Sequence, residues 1–114
     1  MCTQTQLNKI TDEVIQGVKN ALGDRLRSVI LYGSYARGDY DDESDIDIMV
    51  LADVSGAEIS KLEREVDLVS SYVSLENNLT VCAMLYDKSL FDERIAISPF
   101  YRNVVNDGVS LYAV

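Results

Sequence analysis

Histidine is absent from this chain of 114 residues. That absence removes histidine-based catalytic triads, histidine metal sites and histidine general bases in one step. Any chemistry must therefore run on carboxylates, hydroxyls, Lys or Arg. Cysteine is scarce, with only Cys2 and Cys82. Neither has metal-ligand spacing, so neither a disulfide nor a zinc site is expected. Cys2 sits at the chain terminus, and Cys82 in an apolar stretch reads as a core residue. Basic residues are outnumbered, 10 Lys and Arg against 19 Asp and Glu, for a net charge of −9. This excludes general binding to a nucleic-acid backbone, which needs a basic surface. A basic partner protein or a metal ion remains compatible with it. No apolar run approaches the ~20 residues needed to span a bilayer. The opening Met1-Cys2-Thr3-Gln4 lacks the basic and apolar regions of a signal peptide. The expectation is a cytoplasmic protein with no membrane segment, and a length that fits one domain over residues 1–114.

Periodicity divides the rest into elements. Thr5 to Leu22 has helical spacing, with Leu7, Ile10, Val14, Val18 and Leu22 in one stripe and Gly23 as the stop. Leu26 to Tyr32 reads as a strand broken by Gly33, and Ser34 to Arg37 as the opening of a short helix. Residues 39–44 are polar and acidic and read as loop. Asp45 to Leu51 reads as a strand with Asp45, Asp47, Met49 and Leu51 on one face and Ile46, Ile48 and Val50 on the other. Ser55 to Glu58 has the form of a capping box before a helix carrying Ile59, Leu62, Val66, Val69 and Val73 on one face. Leu79 to Tyr86 is a third strand, and Ser89 to Ile97 a short helix. Ser98-Pro99 caps another helix that Gly108 closes, and Val109 to Tyr112 is a candidate edge strand. The fold class expected is α/β of the α+β type: a small mixed sheet of three core strands plus that edge strand, covered by helices. Gly33 ends the first strand and Asp45 starts the second, so the two must run antiparallel if both serve one site.

The informative residues are Gly33-Ser34-Tyr35-Ala36-Arg37-Gly38 and Ser44-Asp45-Ile46-Asp47. A strand that ends in Gly-Ser and opens a helix presents backbone N–H groups and a hydroxyl that can hold a phosphate oxygen. Gly33 lets that backbone approach closely because it has no side chain. Asp45 and Asp47 are two apart on a strand, which puts both carboxylates on one face, ~7 Å apart. Two like charges so placed suit a bridging cation, and Mg²⁺ takes a few carboxylates and completes its octahedron with water and substrate phosphates.

The pattern Gly-Ser, ten residues, Asp-x-Asp, with Tyr35 through Ser44 as the ten, resembles the signature of the nucleotidyltransferase, or polymerase-beta-like, superfamily. The contexts Ala36-Arg37-Gly38 and Ser44-Asp45-Ile46-Asp47 are similar to its minimal, antitoxin-type branch. The resemblance implies a palm-like fold in which Asp45 and Asp47 are the catalytic residues and hold one or two Mg²⁺. It implies that Gly33 and Ser34 contact the terminal phosphates of ATP or another nucleoside triphosphate, and that Arg37 adds charge there. Family members usually carry a third carboxylate on the next core strand. Leu79 to Tyr86 has none, and Asp87 serves only if that strand is shorter or shifted.

The resemblance further implies a helical HEPN-type protein partner, with this chain as an antitoxin that transfers AMP to it. A second copy of the chain, giving a homo-oligomer, is the alternative source of an acceptor, since no second domain is expected. Two competing readings stand beside this one. In the first, the same fold masks its partner as a catalytically weak or inactive nucleotide-binding module. In the second, the chain is the nucleotide-binding subunit of a small-molecule nucleotidyltransferase of the aminoglycoside type. Duller roles are also open: Asp39, Asp41, Asp42 and Glu43 as a solvated loop, and Arg37 as a salt-bridge partner of that loop.

Overall fold

Thr3 starts the first helix. Its side chain accepts from the Gln6 amide at 3.1 Å while the Gln6 side chain accepts from the Thr3 amide at 3.4 Å, which satisfies two donors that a helix start leaves open. The computed structural model describes residues 3–114. The expectation for Cys2 falls outside the described residues. The elements are α1 (Gln4–Leu22), β1 (Leu26–Tyr32), α2 (Ser34–Arg37), β2 (Ile46–Ala52), α3 (Ile59–Asn77), β3 (Val81–Asp87), α4 (Lys88–Arg94), α5 (Pro99–Asp107) and β4 (Val109–Ala113). Among the described residues no helix is long and apolar enough to cross a membrane.

The four strands form one mixed sheet in the order β3-β2-β1-β4. Strands β1 and β2 run antiparallel with Tyr32 opposite Asp47, as the shared-site condition required. Strands β2 and β3 run parallel with Asp47 beside Cys82. The end strand β4 lies antiparallel to β1. Alternation on β2 sorts its side chains between two cores. Ile46, Ile48 and Val50 face α1 and α3, joined by Val14, Val18 and Val66. Met49 and Leu51 face the other way and meet Phe91 of α4 and Val104 of α5.

Three local expectations are corrected. Ser55 to Glu58 is a turn, not a capping box: the Ser55 hydroxyl bonds the Glu58 carboxylate at 3.3 Å, and α3 begins only at Ile59 with no side-chain cap bond. Asp45 precedes β2 rather than opening it, because pairing begins at Ile46. The third strand is displaced toward the C-terminus and takes in Asp87.

The outer edge of β3 is met by hydroxyls from α3. Ser74 Oγ accepts from the Val81 amide at 2.9 Å and donates to its carbonyl at 3.3 Å. Ser70 Oγ accepts from the Ala83 amide at 2.9 Å and donates to its carbonyl at 3.4 Å. The spacings agree because four residues of helix rise ~6 Å and two residues of strand ~6.6 Å. Replacing both serines (Ser70→Ala with Ser74→Ala) leaves these edge groups short of partners. We expect a loss of about 1 kcal/mol per site, read as a lower urea midpoint at unchanged slope.

Candidate functional site

The site begins with a contact that only glycine allows. Gly33 follows β1 with φ of 74°, a conformation that side chains strongly disfavour. A Cβ built there would stand 2.5 Å from Asp47 Oδ2. The backbone turn and the carboxylate therefore share the same space, and the missing side chain is what lets them do so. The turn then enters α2, where the amides of Ala36 and Arg37 both reach back to the Gly33 carbonyl at 3.1 Å. Tyr35 is buried and stacks on Tyr40, ring centroids 4.2 Å apart, which pins this short helix to the loop that follows.

Gly33, Ser34, Arg37 and Asp47 line one cleft of about 400 Å³. Asp45 is exposed one residue before β2. Arg37 Nε is paired with Asp39 at 3.1 Å on the surface. That pair is worth little in water, so the guanidinium can be released to an incoming anion.

The far wall of the cleft was not foreseen. Phe100, Asn103 and Asp107 of α5 face Asp47 across it, with Tyr32 and Val104 completing the lining. Residues 100, 103 and 107 are spaced as one helical face, which is the signal that could have marked them. Tyr32 meets Phe100 edge to face at 5.8 Å.

Asp87 does not reach this cleft. It pairs with Ala52 at the opposite end of the sheet from the row that joins Asp47 to Cys82. Five residues of strand separate it from that row, ~16 Å at strand rise. Its side chain caps α4 by accepting from the Ser89 amide at 3.1 Å. The β3 neighbour of Asp47 is instead Cys82. Burial first, then the charges of Asp47 and Asp45, push the Cys82 thiol above its ordinary pKa of 9.0. It therefore stays neutral near pH 7 and adds no negative charge. Tyr32 is pushed up to about 12, by burial and then by Asp47, so its hydroxyl keeps its proton.

Burial, and next the charge of Asp45, raise Asp47 above its ordinary 3.8, while Arg37 opposes them. A carboxylate whose charge is disfavoured by its surroundings is a place where a cation is welcome. The donor set fits Mg²⁺ of the substrate-borne kind. Two carboxylates are present, Asp45 close enough for its charge to raise Asp47, and among the described residues no three His, Cys, Asp or Glu side chains are grouped to hold an ion alone. Water and phosphate oxygens would have to supply the remaining ligands.

The model of the family described as Polymerase beta, Nucleotidyltransferase matches residues 13–113. This chain belongs to that nucleotidyltransferase family. The match contains every residue lining the cleft. A candidate protein adenylyltransferase of Methanocaldococcus jannaschii is 36% identical over 104 residues, covering 91% of this chain and 96% of the relative. Two solved structures share the fold. One is a toxin-antitoxin pair with AMP-PNP, at TM-score 0.56 and 19% identity, covering 91% of this chain and 73% of the other. The second is the tri-AMPylated Shewanella oneidensis HEPN toxin in complex with its MNT antitoxin, at TM-score 0.54 and 17% identity, covering 94% and 72%.

Two outcomes follow from this geometry. Gly33→Ala forces a side chain into left-handed backbone and onto Asp47, so we expect a cost of roughly 1–3 kcal/mol from the backbone alone in chemical denaturation. Asp47 holds its proton to higher pH in the fold than in the unfolded chain. Its stabilising contribution is therefore complete below the ordinary 3.8 and is lost as pH rises through the elevated value. Without divalent cations, Asp47→Asn should then melt above the parent at pH 7, and the gap should close as pH falls toward 4. Equal melting temperatures at pH 7 would contradict the strained carboxylate.

Proposed function

We propose that this chain binds a nucleoside triphosphate, ATP foremost, together with Mg²⁺, and transfers AMP slowly to a hydroxyl on a partner protein. The observation that carries the reading is the single cleft in which the Gly33-Ser34 turn and Asp47 meet. Asp45 and Asp47 would hold the ion. When bound, Mg²⁺ neutralises triphosphate charge and polarises the reacting phosphoryl group. The turn at Gly33 admits phosphate oxygens against backbone, the Ser34 hydroxyl donates to one of them, and Arg37 leaves Asp39 to face the departing pyrophosphate. Tyr32, protonated throughout, offers a donor and no charge. The acceptor oxygen bonds to the α-phosphorus, the bond from that phosphorus to the bridging oxygen breaks, pyrophosphate leaves, and the acceptor proton passes to solvent.

A partner protein as acceptor is supported by the name of the Methanocaldococcus jannaschii relative, a candidate protein adenylyltransferase. The AMPylated HEPN toxin bound to an MNT antitoxin supports a HEPN-type helical protein in that role. The net charge of −9 suits a basic partner, where complementarity raises association rate and specificity. A masking role without chemistry is favoured by one observation: the β3 neighbour of Asp47 is a neutral thiol rather than a carboxylate. That same position is the reason to expect slow transfer.

Incubation with labelled ATP, Mg²⁺ and the protein encoded by the neighbouring gene tests the reading. We expect one AMP per modified hydroxyl by mass spectrometry, and at least a hundredfold loss with Asp47→Asn. Calorimetry should show that variant binding Mg²⁺-ATP at least tenfold more weakly, about 1.4 kcal/mol. Nucleotide binding without label transfer would establish the mask. Fast multiple turnover on an aminoglycoside by the isolated chain would refute both.

A further inference from the structure

Helices α1 and α3 leave a groove on the far side of the sheet from Asp47. The two run antiparallel: Lys9 and Glu13 of α1 bond Asn77 near the end of α3, while Gly17 lies against Val69 nearer its middle. A Cβ on Gly17 would stand 2.7 Å from Val69 Cγ1. Glycine thus draws the helices close and leaves a floor with no side chain on the α1 side. The groove has a volume of about 590 Å³. Two large apolar side chains lie open on its α3 wall, Leu68 at 69% exposed and Tyr72 at 63%, and Leu75, 83% exposed, continues their row one turn beyond the groove lining. They stand at i, i+4 and i+7, the row with which one helix grips another. The charged residues lining the groove are Asp12, Glu13 and Glu76, with no Lys or Arg among the lining. Glu13 is engaged by Lys9, whereas Asp12 and Glu76 form no ion pair among the described residues.

We propose that this groove is a docking site for a basic amphipathic helix of another protein. Its apolar face would lie on Leu68, Tyr72 and Leu75, and its Lys or Arg residues would meet Asp12 and Glu76. Two antiparallel helices with a valley between them accept a third helix in the geometry of a helical bundle. A second copy of this chain fits poorly. A two-fold contact would set each acidic rim near its own image, on molecules that each carry −9. The docked helix leaves the nucleotide cleft open, because the sheet separates the two faces. The proposal therefore holds whether or not the cleft transfers a nucleotide.

A fluorescent 18-residue Leu/Lys peptide, patterned to place Leu on one helical face, serves as the probe against the full chain. A scrambled peptide of the same composition is its control. We expect saturable binding of the patterned peptide and at least tenfold weaker binding of the scrambled one. Leu68→Gln with Tyr72→Gln should weaken the patterned peptide at least tenfold. Asp12→Lys with Glu76→Lys should do the same and flatten the salt dependence. These positions are exposed or groove-lining, and circular dichroism checks that the variants keep their fold. Equal binding of both peptides, or no loss in the Leu68/Tyr72 variant, overturns the proposal. Sedimentation showing a parent dimer that this variant dissociates also overturns it, by assigning the face to self-association.

Discussion

Strand β2 has to be covered on both faces, and the rest of the architecture answers that demand. Its residues Ile46, Ile48, Met49, Val50, Leu51 and Ala52 are at most 1% exposed. Burying an aliphatic side chain is worth about 1.5–3 kcal/mol, so a strand apolar on both sides is stable only between two layers. Helices α1 and α3 supply one layer, and α4 with α5 the other. Asp47 is the exception within this strand, half-buried where the second layer leaves an opening. The cleft exists because α5 covers Met49 with Val104 and passes beside Asp47 without sealing it.

An electrostatic tension follows from that placement. Asp47 is flanked by another acid, Asp45, and by groups that stay neutral, the Tyr32 hydroxyl and the Cys82 thiol. The nearest guanidinium, that of Arg37, is engaged with Asp39 on the surface. Among the described residues nothing fully compensates the carboxylate, and complementarity is left to whatever enters the cleft. A site of this kind is strained when empty and relieved when loaded, which is how ligand binding becomes a stabilising term in folding.

Much of this was legible in the chain. The apolar stripe of α1, the alternation of β2 and the proline-led start of α5 follow from local pattern, whereas the antiparallel pairing of β1 with β2 followed only from requiring Gly33 and Asp45 to share one site. The Gly33-Ser34 and Asp45-x-Asp47 spacing carried the family correctly for the same reason: the turn and the strand are adjacent in sequence. What local pattern could not carry was set by packing between distant segments. Phe100, Asn103 and Asp107 join the cleft only because α5 folds back beside β1. Asp87 was a candidate only on the condition of a shorter or shifted strand, and although the strand is shifted, parallel pairing carries Asp87 to the far end of the sheet and gives its side chain to α4. The Ser55 to Glu58 signature failed because its serine bonds the glutamate itself rather than an open amide.

The hydroxyls of Ser70 and Ser74 bear on how copies of this protein can meet. A sheet has two rims, and a stack of sheets joined rim to rim grows without limit only when both are open. Here the β3 rim is already spoken for over Val81 and Ala83 by the protein's own helix. An incoming strand would first have to evict α3 and uncover the valines beneath it. Pairing through the β4 rim alone would join two copies and then stop. The two serines thus close the β3 rim to an added strand over Val81 and Ala83.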